Sequence, residues 1–307
     1  MTSDAVPATA PETDILHYAA FATEPTGGNP AGVVLDASGL SAERMLAVAA
    51  EVGYSETAFL IPEAAQGGGP AGAPGGAPGD VGGAYTVRYF SPLAEVPFCG
   101  HATVASAVAL AERVGPGRFV FATRVGEVPV EVDKGPDGLL RATLTSVEPH
   151  VEEVTEADVA EVLALLGWSA DELDTALPPR IAYAGARHLV LAAASRDRLA
   201  RLAYDFEGLA AYMAARQLLT LQLVRRESEH VFHVRDPFPV GGVVEDPATG
   251  AAAAALGAYL RERGEVTAPA VLTLHQGEDL GRPGVLTVEL REGDARVRVS
   301  GTAVPIG

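Results

Sequence analysis

The sequence predicts an α+β protein of two similar halves, each wrapping several strands around one buried helix. Three observations carry this reading. Short runs that alternate, or are wholly apolar over strand length, recur along the chain. Two Ala-rich segments, one after Gly100 and one after Gly250, are apolar on every face, as a buried helix is. Each follows a turn of similar make-up: Phe98-Cys99-Gly100-His101-Ala102-Thr103 in one half, Glu245-Asp246-Pro247-Ala248-Thr249-Gly250 in the other. Such a duplication, with one chemistry-bearing turn per half, predicts a site between the halves.

The elements follow in order. Residues 15–22 and 31–35 read as strands around a Gly27-Gly28-Asn29-Pro30 turn. Ser41 is a candidate N-cap for a helix whose Met45, Val48, Ala49 and Val52 share one face, with Gly53 just past its end. A strand is expected over residues 56–61. Residues 66–83 hold nine Gly and three Pro and read as a surface insertion, unable to build a core. Tyr85, Val87 and Tyr89 alternate as in a half-buried strand, and the first all-apolar helix spans residues 102–114. Strands are expected at 118–122, 127–132 and 139–145. In the second half, Thr155 and Asp158 cap a helix carrying Val159, Val162, Leu163 and Leu166, which Gly167 ends. A strand at 188–193, a helix at 205–216 and strands at 218–225 and 230–235 precede the second all-apolar helix, which runs to about Arg263. Strands at 271–274, 285–290 and 295–300 close the chain. The implied organisation is a tail (1–13), an N-terminal lobe (14–122) completed by residues 295–307, and a C-terminal lobe (123–294).

The net charge of −18 over 307 residues disfavours phosphate backbones and anionic membranes, so neither nucleic acid nor membrane is an expected partner. No apolar leader or spanning run is evident, and a cytoplasmic location is expected. The single cysteine, Cys99, excludes a disulfide framework and multi-cysteine metal sites. His230 and His233 have poor metal spacing on a strand, and no Rossmann or Walker pattern occurs. Neither a metal nor a cofactor is expected.

Two helix starts facing one cleft would present free backbone N–H groups to a carboxylate. Here they are Gly100-His101 and Thr249-Gly250. Glu56, at the entry to an apolar strand, is a candidate general acid/base, because partial desolvation raises a carboxyl pKa. His101 and Asp246 lie at the two helix starts, and Asp246 reads equally as an N-cap. Cys99 reads as a small buried hydrophobe, with a helix-end thiolate as the alternative.

Together, Gly28-Asn29-Pro30-Ala31-Gly32-Val33-Val34, Tyr54-Ser55-Glu56-Thr57-Ala58-Phe59, Arg88-Tyr89-Phe90-Ser91-Pro92, Glu95 to Thr103, and Glu245 to Gly250 resemble the phenazine-biosynthesis PhzF-like isomerase/epimerase family, within the diaminopimelate-epimerase-like fold. Gln276-Gly277 and Gly281-Arg282-Pro283 extend the match. The resemblance implies two pseudo-symmetric lobes, each a mixed sheet curled around a central helix, and a homodimer. It implies cofactor-free proton shifts in a small carboxylate metabolite. Glu56 then resembles the proton-transferring residue, and His101 and Asp246 the residues that orient the substrate. Gly100, Ala102, Thr103, Thr249, Gly250 and Ala251 would bind the substrate, with Ser55, Asn29 and Cys99 nearby. The family motif continues Thr-Gly-Ser, whereas Ala251 stands here, which implies a substrate other than dihydro-3-hydroxyanthranilate. A racemase or epimerase pairing Cys99 with Glu56 or Asp246 is the alternative chemistry, and a silent binding protein the alternative class.

Overall fold

The computed structural model describes residues 14–63 and 81–307. The expected tail and residues 66–80 of the expected insertion lie outside the described residues. The first half contains β1 (Leu16–Ala20), β2 (Asn29–Val34), α1 (Ala42–Val52), β3 (Glu56–Pro62), β4 (Val81–Phe90), β5 (Glu95–Val96), α2 (Gly100–Val114), β6 (Gly117–Thr123), β7 (Gly126–Lys134) and β8 (Leu140–Thr145). The second contains β9 (His150–Glu153), α3 (Glu156–Leu166), β10 (Arg180–Tyr183), β11 (Arg187–Ala192), α4 (Arg196–Ala200), α5 (Phe206–Ala215), β12 (Thr220–Arg226), β13 (Val231–Pro237), β14 (Glu245–Asp246), α6 (Gly250–Glu262), β15 (Ala270–Gln276), β16 (Gly284–Leu290) and β17 (Val297–Pro305).

Local signals act as expected where partners lie within a helical turn. Ser41 and Thr155 accept the N–H groups of Arg44 and Asp158, and Gly53 and Gly167 take left-handed conformations after α1 and α3. Glycine suits those two positions because a Cβ there would be strained. Three expectations fail. Val81–Gly83 belong to β4, because their backbone pairs with β6 and Gly82 leaves room for the Phe119 ring. The Gly-rich composition hid a ladder that needs no side chains. The strands β9 and β10 and the short α4 escape a periodicity search because they are four or five residues long. Asp246 is not an N-cap; it lies on β14, and Thr249 occupies that position.

The strands β1–β2–β3–β4–β6–β7–β8–β17 form a closed ring, because β17 pairs with both β8 and β1. The result is a mixed barrel around α2, with only the β2–β3 and β4–β6 pairs parallel. From β17 the sheet continues through β16, β15, β13, β12, β11 and β10 to β9, again with two parallel pairs, β11–β12 and β13–β15. This arm lies against α6. One apolar cluster runs from Phe119 and Phe121 beside α2 to Leu256 and Tyr259 on α6. Truncating a fully buried ring such as Phe121 to Ala would cost about 3–5 kcal/mol.

The turn after β1 knits the halves together. Phe21 has a positive φ of 62°, unusual for a bulky residue. Its N–H donates to Thr302 O (2.7 Å), and its carbonyl accepts from Val285 N (2.8 Å). Its ring fills space left by Gly301 and lies beneath Gly250 at the start of α6. Arg282 donates to the carbonyls of Gly28 (2.8 Å) and Gly27 (2.7 Å), which sets the approach to Asn29.

Candidate active site

The start of α2 lies beside the start of β3. Glu56, the first residue of β3, brings Oε2 to 3.4 Å from His101 Nε2 and 3.6 Å from Cys99 Sγ. Ser55 Oγ is 3.3 Å from the same Nε2. The start of α6 completes the site through Asn29, whose Nδ2 donates to Asp246 Oδ1 (2.8 Å) and Ala248 O (3.1 Å) and lies 3.1 Å from His101 Nδ1. One amide therefore bridges the two helix starts, 72 residues from His101 and 217 from Asp246. Thr249 Oγ1 donates to Asp246 Oδ2 (2.5 Å).

Burial sets the protonation states. The Glu56 side chain is 16% exposed, and its carboxyl is pushed up chiefly by desolvation, against hydrogen bonds from Ser55 and Cys99. Desolvation lowers the His101 pKa, against the pull of Asp246, so its contact with Glu56 at neutral pH is not an ion pair. Asp246 is pushed up by burial, offset most by His101. Burial first, then the Glu56 charge, lifts Cys99 well above its usual value. Its thiol is therefore protonated, which excludes the helix-end thiolate: desolvation outweighs the dipole.

Helix geometry leaves the N–H groups of Gly100, His101 and Ala102 without intrahelical acceptors at the start of α2, and those of Gly250, Ala251 and Ala252 at α6. Thr103 is a different matter. It is fully buried, donates to Cys99 O (2.6 Å) and meets Tyr89 Oη (2.6 Å), so its hydroxyl braces the helix inside the barrel.

A family model described as phenazine biosynthesis-like protein (PhzC-PhzF) matches residues 18–307. The chain belongs to this family. A trans-2,3-dihydro-3-hydroxyanthranilate isomerase of Pseudomonas fluorescens is 30% identical over 292 residues, 94% of this chain and 95% of that protein. The crystal structure of a Bacillus anthracis PhzF-family phenazine biosynthesis protein superposes with TM-score 0.81 and 25% identity, covering 95% of this chain and 96% of that one. A probable proline racemase of Agrobacterium radiobacter K84, at TM-score 0.60 and 12% identity over 95% of this chain and 91% of its own, shares the fold. The chain is a PhzF-family isomerase. Among the described residues, no helix is long and apolar enough to cross a membrane.

In this PhzF-family isomerase the internal repeat extends beyond the two turns. Arg88 pairs with Glu95 through two bonds of 2.8 Å, and Arg235 pairs with Glu245 through two bonds, one at 3.0 Å. Each pair ties the end of a long strand, β4 or β13, to the short strand before a helix start. Aligning these pairs sets Cys99 against Thr249 and His101 against Ala251. The Arg and Glu carried no site signal of their own in the sequence, and their spacings differ, seven residues in one half and ten in the other. Gln276 appeared in the sequence only as part of a motif. Its Oε1 accepts from Thr249 N (3.0 Å), and its Nε2 donates to Asp246 O (2.9 Å). Sequence reasoning missed Asp236, opposite Asp246 in the β13–β14 register.

Glu56, Cys99 and His101 offer three potential metal-ligand atoms within 4.8 Å of one another. Cys99 Sγ, however, is 3.4 Å from His101 Nδ1 and 3.7 Å from Nε2, so it flanks the ring. A metal on Nδ1 would displace the Asn29 amide, and a metal on Nε2 would need Cys99 Sγ to move away from Nδ1, where it now lies closer. The three residues as arranged do not form a metal centre.

Proposed function

We propose that this isomerase moves a proton within a small carboxylate metabolite held between two lobes, with Glu56 as general acid/base. The observation that carries the reading is Glu56 itself: a desolvated carboxyl with no Lys or Arg partner among the described residues, beside the N-terminus of α2. Such a group holds a proton more readily than an exposed carboxyl and takes and returns it, contributing about 10²–10⁴-fold. Free N–H groups at the two helix starts hold the substrate carboxylate. Asp246 and the neutral His101, joined by Asn29, hold the remaining polar groups and keep the reacting carbon in reach of Glu56. No step calls for a cofactor. The P. fluorescens relative is named for trans-2,3-dihydro-3-hydroxyanthranilate, and Ala251 favours a substrate that differs from it at the carboxylate end.

The 3.6 Å contact between Cys99 and Glu56 favours a second reading, an epimerase with a neutral thiol as the proton donor. Turnover of trans-2,3-dihydro-3-hydroxyanthranilate and of small chiral carboxylates in deuterated water tests both. Isomer formation with deuterium delivered to one face supports the shift. Deuterium uptake with loss of stereochemistry supports epimerisation. Neither product nor uptake from any carboxylate tried refutes both.

A further inference from the structure

A buried polar network lies beneath Asp246, and the proton shift does not use it. Its centre is Asp236, which is completely buried. Asp236 Oδ2 accepts from Gln276 Nε2 (2.8 Å), and Oδ1 is 3.5 Å from Thr220 Oγ1. With its amide oriented to satisfy its neighbours, Gln222 donates to Asp236 Oδ1 and to Ala252 O on α6, both at 3.2 Å. Thr220 Oγ1 in turn meets His188 Nδ1 (2.8 Å). Gln276 is the link to the site, since the same side chain receives Thr249 N–H and donates to Asp246 O.

We propose that Asp236 is a positioning residue: it orients Gln276, and through Gln276 it fixes the Asp246–Thr249 turn at the start of α6. An amide side chain can be flipped by its surroundings, and a flipped Gln276 would face Thr249 N–H with its own NH2. The acceptor at Asp236 Oδ2 forbids that flip. This role requires a group that adds no second negative charge beside Asp246. The surroundings supply that condition. Burial, reinforced by the charges of Asp246 and Glu245, pushes the Asp236 carboxyl well above its usual value, toward the neutral form. Arg235 faces away from it, bonded to Glu245 and the carbonyl of Ala200. His188 is held down to about 3 by burial and stays neutral. An asparagine presents the same oxygen to Gln276 Nε2 and adds no charge, whereas a hydrocarbon presents no acceptor.

The inference rests on the reading of Asp246 as a substrate-orienting group, but its test needs no turnover. Amide hydrogen exchange at Thr249 and the titration of carbon-13-labelled aspartates are measured by NMR on the full chain. Asp236→Asn should keep the Thr249 protection of the wild type, while Asp236→Leu should speed exchange by about tenfold or more. In Asp236→Asn the Asp246 midpoint should stay within about half a pH unit, because no charge has been removed. Equal protection in the Leu and wild-type proteins would overturn the proposal. So would lost protection in the Asn protein, or a fall of the Asp246 midpoint by about one unit or more, the sign of a departed like charge. Should the Leu protein not fold, Gln276→Ala takes its place with the same expectation at Thr249.

Discussion

Replacing Asp236 by Asn should make the protein's stability less dependent on pH, and the size of the effect follows from the burial of one carboxyl. In the unfolded chain this group titrates near 3.8. In the folded chain, desolvation first and the Asp246 charge second hold it well above that value. Above 3.8, therefore, the folded state carries a proton that the unfolded state has lost. Stability then falls as pH rises, by about 1.4 kcal/mol per pH unit, until the folded carboxyl itself ionises. Asn has no proton to lose, so the variant lacks this slope. Any hydrogen bond weakened by the exchange contributes a constant that drops out of the comparison. For each pH unit between 3.8 and the folded midpoint, the variant should gain about 1.4 kcal/mol on the wild type. With an unfolding entropy of about 2.1 cal/mol/K per residue, that corresponds to a relative gain in Tm of about 2 °C per unit. Scanning calorimetry of both proteins at a series of pH values above about 4 and constant ionic strength is the assay. A Tm difference that does not change with pH, or that changes in favour of the wild type, would refute the reasoning by showing Asp236 ionised in the fold.

Glu56→Gln should lower turnover by at least about 10²-fold while leaving the Kd for a carboxylate ligand within a few-fold, because the amide keeps the shape and takes no proton; stopped-flow and calorimetric titration check the two halves. In the wild type, kcat/KM should rise with pH through the raised Glu56 pKa, and a pH–rate profile without that acid limb would contradict the role of base. Cys99→Ala should keep most of the activity, since the thiol is protonated and packs beside the His101 ring; loss of all turnover would favour the epimerase. Ala251→Ser should leave kcat/KM on the native substrate unimproved while strengthening binding of small dienyl carboxylates, by up to about 1.5–3 kcal/mol for a new bond to a charged group; an approximately tenfold gain on the native substrate would show that its carboxylate wants the hydroxyl.

The legible part of the site is the part that sits at breaks in local pattern. Glu56 marks the entry to an apolar strand, and Gly100-His101 and Thr249-Gly250 open helices with no polar face. Charged or polar residues at such edges stand out against their neighbours, and motif order made them specific. The structure brings Glu56, Cys99, His101, Ser55, Asn29 and Asp246 into one cluster. Asp236 and Gln276 sit inside strands and resemble ordinary solvent-facing polar residues of an alternating pattern, so nothing local marks them as buried. Of the two readings open for Asp246, the N-cap fails, because a cap and a short strand three residues earlier use the same turn-forming composition.

By itself the sequence determined what contacts within about one helical turn can decide. Those are the caps at Ser41 and Thr155, the glycine ends of α1 and α3, and the two helices that must be buried because they have no polar face. Only the tertiary structure decided that β17 closes the barrel by pairing with β1 and β8, that Arg282 clamps a turn 254 residues away, and that Asn29 spans the two helix starts. It also decided titration: burial pushes Cys99 and Asp236 up and His101 and His188 down, each toward its neutral form. The physical reason is range. Backbone propensity and capping are set by neighbours along the chain, whereas desolvation depends on every element that packs over a group, and those elements come from both ends of the sequence.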